Sequence, residues 1–164
     1  MTPKFNSDRL SFQQISGIQF FSEFNEQDLK TLFSILKIHK FNKGTHVTNK
    51  DDDTHKIYFI IEGSINIYKK LYRGEEKLVG SFRNQQYFGE MAFLDGSNVV
   101  AETDLIIAEF AWNEFYSVFM KKPEIIQQMY KNIVRTLSLR LRKTNSPDAV
   151  NGSQNLTNTT LLLK

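Results

Sequence analysis

Between residues 38 and 110 the longest apolar run is the five residues 57–61, and every such run soon meets a turn residue. This punctuation constrains the fold more than any other feature. Segments of this length are too short for independent helices and suit strands of a half-buried sheet. Candidate strands fall at 38–41, 45–48, 57–61, 64–70, 77–82, 99–102 and 105–110. The breaks hold Asn42-Lys43-Gly44, residues 49–54, Glu62-Gly63, Arg73-Gly74-Glu75 and Asp95-Gly96-Ser97-Asn98. Many short strands at near-regular spacing predict a sandwich, roll or barrel. The segment 57–61 is apolar on both faces, which predicts a central strand. Residues 64–68 alternate, with Ile65 and Ile67 against Ser64, Asn66 and Tyr68, as a half-exposed strand does.

Helical spacing flanks this region. Leu29, Leu32, Phe33 and Leu36 recur at i, i+3, i+4 and i+7, so a helix is predicted over 26–36. Asn25 is placed to cap it, with Glu26 and Asp28 in the first turn, where the helix dipole favours acids. Further helices are predicted over 113–121, ended by Pro123, and over 124–143. In the last of these, Ile126, Tyr130, Ile133 and Leu137 form a stripe that either pairs with a second copy of the helix or packs on the strands. Residues 1–14 read as a polar arm, 15–144 as one domain, and 145–164, rich in Asn, Ser and Thr, as a disordered tail.

Composition excludes several classes. The chain has no cysteine, so disulfides, iron–sulfur clusters and cysteine-based zinc sites are ruled out. Its three histidines, His39, His46 and His55, form no His-x-His pair, and no metal site is expected. The acidic run Asp51-Asp52-Asp53 lacks the glycine and distal glutamate of a calcium loop. No run is long enough to cross a bilayer and the first residues carry no apolar signal stretch, so a cytoplasmic protein without membrane contact is expected. The net charge of +3 is spread along the chain, which argues against specific nucleic-acid binding. No nucleophile elbow, P-loop or thiol is present, and no catalytic residue is assigned.

Several stretches together resemble the cyclic-nucleotide-binding domain family, over about residues 15–141. Ile18-Gln19-Phe20-Phe21 is similar to the family's lead-in, and Phe41-Asn42-Lys43-Gly44 to its first hairpin turn. Residues 57–63, ending in Glu62-Gly63, resemble its central strand and tight turn. Tyr87-Phe88-Gly89-Glu90-Met91-Ala92 resembles the start of its phosphate-binding cassette. Thr103-Asp104 and Trp112-Asn113-Glu114-Phe115 follow in the order of the last strand and the next helix. The resemblance implies a mainly β fold with flanking helices. Its centre is a double-stranded β-helix, a jelly-roll or cupin-like β-roll, with one N-terminal and two C-terminal helices.

The same resemblance implies a ligand, cAMP or cGMP, and assigns it residues. Phe88, Gly89, Glu90, Met91 and Ala92 are the remnant of the cassette, with Glu90 at the ribose or capping a helix. The family's arginine, which pairs with the cyclic phosphate, has no counterpart. Counting forward from Gly89 puts Val99, beside Val100, at its position, and counting back from Thr103 leaves the segment several residues short. No Lys or Arg occurs from residue 84 to residue 120. Without that cation, affinity for a cyclic nucleotide is expected near millimolar, unless Arg83 turns inward as a substitute. The leading reading is a stand-alone regulatory module with a degenerate cassette, acting through a protein partner or as a homodimer through the C-terminal helix. A genuine sensor of a cyclic nucleotide or another small ligand is the alternative. A transcription regulator is the third, and the polar stretch after residue 145 shows no helix to read DNA.

Overall fold

A computed structural model describes residues 12–48, 55–72, 74–89 and 97–144. The chain enters through α1 (Phe12–Ser16), a 3-10 turn (Gln19–Phe21) and α2 (Glu26–Phe33). Strands β1 (Lys37–Phe41), β2 (Lys56–Glu62), β3 (Ser64–Lys70), β4 (Glu76–Arg83), β5 (Tyr87–Phe88), β6 (Ser97–Ala101) and β7 (Leu105–Ala111) follow. It leaves through α3 (Trp112–Phe119) and α4 (Pro123–Thr144). The strands form two antiparallel sheets, ordered β1-β7-β2-β5 and β4-β3-β6. The fold is therefore mainly β, a roll with helices at both ends of the chain.

Two cores explain the sequence pattern. The sheets face each other across Ile60, Ile65, Ile67, Phe88, Val99, Ala101, Leu105 and Ile107. The opposite face of the first sheet meets the helices through Ile57, Phe59 and Phe110, packed with Phe20, Phe21, Phe115, Phe119 and Met129. Strand β2 is apolar on both faces because it serves both cores, as its sequence predicts. Crossing from one sheet to the other falls to Gly63. Its φ is +93°, and a Cβ there would lie 2.3 Å from the Asp104 carbonyl oxygen, so only glycine fits.

Local signals hold where expected. The Asn25 side chain accepts the Asp28 N–H at 2.8 Å, capping α2. That helix ends at Phe33, earlier than the predicted 36. The Ser34 hydroxyl bonds back to the Thr31 carbonyl, and Lys37 already belongs to β1. Pro123 stops α3 and also opens α4, where a missing N–H costs nothing. The predicted strand at 45–48 is corrected. Only His46 bridges Val100, while Val47 N–H and Thr45 C=O bond to β6. The two-residue strand β5, too short for alternation to reveal, was not anticipated.

Long-range polar contacts seat α4. Asn132, fully buried, donates to the carbonyls of Phe20 at 3.0 Å and Ser22 at 2.7 Å. Asp28, also buried, takes the Lys122 ammonium at 2.6 Å. The lead-in, α2 and the start of α4 thus hold one another at points a sequence separation of about ninety residues or more apart. The acidic triplet 51–53, most of the arm 1–14 and the tail 145–164 lie outside the described residues.

Candidate functional site

The site begins where β5 ends. Tyr87 and Phe88 pair with Phe59 and Tyr58 of β2, which brings the following Gly89 against the start of that strand. Gly89 has φ +93°, and a Cβ would stand 2.4 Å from the Lys56 carbonyl oxygen and 3.2 Å from the Tyr58 ring. A glycine is required here by both conformation and space. Gly89→Ala is expected to cost about 1–3 kcal/mol in urea unfolding, because the backbone must leave its left-handed state or push β2 aside. An unchanged midpoint would show that the turn is not held as described. Glu90, Met91 and Ala92 lie outside the described residues.

Phe88 points into the roll and stacks on Tyr58, with centroids 4.8 Å apart, while Phe82 of β4 lies 6.1 Å beyond. At the same end the lining turns ionic. Glu109, only 7% exposed, lies 3.3 Å from the Lys56 ammonium and 3.2 Å from His39 Nε2. Nearby, Lys37 meets Glu114 at 2.6 Å. That hydrogen bond, and then one from the Ala111 N–H, hold the Glu114 carboxyl below the usual range. Among the described residues no three His, Cys, Asp or Glu side chains cluster to hold a metal. None of their helices is long and apolar enough to cross a membrane.

The residues expected to replace the family's arginine are placed otherwise. Val99 is 1% exposed, opposite Ile67 in the lining between the sheets. Val100 is half-buried opposite Asn66, on the other face of the same strand. Arg83 is corrected as a substitute anchor: it is exposed at the end of β4, because strand side chains alternate and Phe82 takes the inward position. The arginine that does reach the cassette is Arg140 of α4. Its Nη2 donates to the Tyr87 carbonyl at 2.5 Å. Its guanidinium carbon lies 4.9 Å from the Phe82 centroid and 5.1 Å from that of Tyr87. The available signal was the spacing of Ile133, Thr136 and Arg140, which puts Arg140 on the face turned to the roll.

Helix α4 also divides the predicted stripe. Ile133 is corrected as an outward contact, since it packs in the helix-side core with Ile125 and Met129. Ile126 and Leu137 are partly buried at that core's edge. Tyr130 is 50% exposed, and Val134 and Leu141 are 62% exposed. The Tyr130 and Tyr116 hydroxyls hydrogen-bond to each other. Burial first, and then that bond, push the Tyr116 phenol up to about 12, so it is uncharged at neutral pH.

Comparison with known proteins agrees with this geometry. The family model described as "Cyclic nucleotide-binding domain" matches residues 38–122, more than half of the chain. The chain is similar to the cAMP-activated global transcriptional regulator CRP of Salmonella typhimurium, at 22% identity over 120 residues. That match covers 70% of this chain and 57% of the relative, so the chain spans little more than half the length of that curated relative. Its fold is similar to the N-terminal domain of a transcriptional regulator from Streptomyces coelicolor, with TM-score 0.63 and 17% identity. There the match covers 80% of this chain and 94% of the other. It is also similar to the regulatory subunit of a cAMP-independent protein kinase A from Trypanosoma brucei, with TM-score 0.60 and 22% identity, covering 83% and 46%. With its described strands folded as that roll and its glycine turn at the root of the cassette, the chain belongs to the cyclic nucleotide-binding domain family.

Proposed function

We propose that this chain is a regulatory module of its family that works through protein contacts made by α4, first of all with a second copy of itself. The observation that carries this reading is the outward apolar seam of that helix. Tyr130, Val134, Leu137 and Leu141 step by four, three and four, the spacing of a two-helix seam. Two of them are 62% exposed, although Ile125, Met129 and Ile133 already seat the helix on the roll. The sequence supports the same reading from the other side, because residues 84–120 offer no cation for a cyclic phosphate. The Trypanosoma brucei structural neighbour is named as the regulatory subunit of a cAMP-independent protein kinase A.

Light scattering tests the proposal. The wild-type chain is expected to run as a dimer, and Val134→Glu as a monomer with nearly unchanged melting temperature, since the substituted position is exposed. Ile133→Glu makes the contrast, because it would bury a carboxylate against the roll and destabilise the fold itself. A wild-type monomer at every workable concentration would refute self-association through α4.

A further inference from the structure

We infer that β4 is a second self-association surface, on which two copies of the chain pair β4 with β4, antiparallel, about a two-fold axis. The three-stranded sheets of the two copies then join into one sheet of six strands. This surface is separate from the seam of α4 and does not depend on it.

Strand β4 ends the sheet β4-β3-β6, and among the described residues no strand pairs with its other side. Such an edge leaves N–H and C=O groups open, and proteins commonly blunt it with charge. Here the centre of the strand is Leu78-Val79-Gly80-Ser81, which carries no charge, and Leu78 and Val79 are about half exposed. The ladder fixes which backbone groups are open. Ser64 donates its N–H to the Thr103 hydroxyl and accepts the Glu102 N–H, so both groups turn away from its β4 partner, Arg83. Arg83 likewise turns away from β3, and Gln86 takes both its N–H and its C=O. Two residues back, the same alternation turns the N–H and C=O of Ser81 outward.

The extra residue at Val79 sets the register for a second copy. Ile67 opposes Gly80 and Tyr68 opposes Leu78, so Val79 has no counterpart in β3 and the alternation shifts by one. Leu78 and Glu76, opposite Tyr68 and Lys70, therefore share the outer face with Ser81 and Arg83. The Glu76 carboxylate accepts from the Asn98 amide, which holds it on that face. Outward positions are thus even before Val79 and odd after it. An antiparallel second strand matches both sets in one register, with Ser81 opposite Leu78 of the second copy and Arg83 opposite its Glu76. Two-fold symmetry repeats each pair, so a Glu76–Arg83 pair flanks the uncharged centre at both ends. A parallel copy would set Glu76 beside Glu76 and Arg83 beside Arg83. Charge and ladder select the same occupant in the same orientation. One strand from each copy is a small contact, so the pairing is weak alone and fills at millimolar chain. Together with a contact through α4 it gives each chain two two-fold interfaces, which build a closed tetramer or a longer array.

Sedimentation velocity from micromolar to millimolar chain tests the assignment in Val134→Glu, which removes the α4 seam. Amide proton–nitrogen spectra are recorded across the same series. The chain is expected to pass from monomer to dimer at the upper end, with shifts concentrated at residues 76–83. Ser81→Pro in that background should abolish the dimer, because it removes an outward N–H and no bond to β3. Val79→Lys puts a charge at the centre of the edge and leaves the ladder intact, so it gives the same loss if Ser81→Pro folds poorly. Arg83→Glu should weaken association about tenfold, since symmetry reverses two pairs, and adding Glu76→Arg should restore it. A Val134→Glu chain that stays monomeric up to millimolar would overturn the inference and leave the α4 proposal intact. A dimer indifferent to both Ser81→Pro and Val79→Lys would overturn it as well. A wild type that is monomeric in light scattering, yet associates at millimolar chain and loses this in Ser81→Pro, would refute the α4 contact and support the β4 edge.

Discussion

Phe20→Ala is expected to lower the stability of this protein by about 3–5 kcal/mol, more than most other single truncations in it. Phe20 is fully buried in the 3-10 turn, and its ring lies between 5.0 and 5.9 Å from those of Phe21, Phe59, Tyr87 and Phe110. Three of these contacts are edge-on, an arrangement that adds to simple burial. The position joins four parts of the molecule. The ring touches the central strands and the root of the cassette, while its carbonyl accepts from Asn132 of α4. Removing it leaves a cavity that the strands on one side and the packed helices on the other cannot readily close. Urea unfolding monitored by circular dichroism measures the effect. A loss below about 1 kcal/mol would mean that the lead-in is not docked as described.

Val99→Arg is expected to disrupt the fold on a similar scale, about 3–5 kcal/mol, because it places an unpaired charge between the two sheets. Val99 is 1% exposed, and its carbonyl accepts from Val47 N–H at 2.8 Å, so the strand cannot swing the new side chain outward. Val100→Arg, one residue on, faces the other way and should cost less than about 1 kcal/mol. The pair reads out the orientation of β6 directly. If Val99→Arg folded like the wild type and gained affinity for cyclic nucleotide, the cassette would have the family's usual register and the present placement of β6 would be wrong.

Much of the roll could be read from local pattern. Strand β3 occupies 64–70 as anticipated, because Ile65 and Ile67 alternate with polar neighbours and Gly63 marks the turn before it. Strand β2 was recognisable as central, since a strand covered on both faces cannot alternate. The Asn25 cap and the break at Pro123 are properties of a few adjacent residues, and they survive into the structure unchanged. Gly89 was also legible, within Phe88-Gly89-Glu90, as a position where the chain turns closely.

What escaped the sequence depends on partners distant along it. The stripe on α4 contains apolar residues on two faces, and periodicity alone did not say which the roll would take. It took Ile133 and left Val134, because Asn132 bonds to the carbonyls of Phe20 and Ser22 and so sets the rotation of the helix. Whether Arg83 faces in or out was decided by the pairing of β4 with β3, which turns Phe82 into the roll. The spacing of Arg140 from Ile133 and Thr136 marked its face of the helix but not its partner, the Tyr87 carbonyl. The sequence by itself determined most of the elements and their order, the family's glycine turn and the lack of a cation within it. The tertiary structure alone decided that an arginine from the far end of the chain stands at that turn. Turns, caps and alternation are written in neighbouring residues, whereas the meeting of Arg140 with Tyr87 exists only once the roll and α4 have packed.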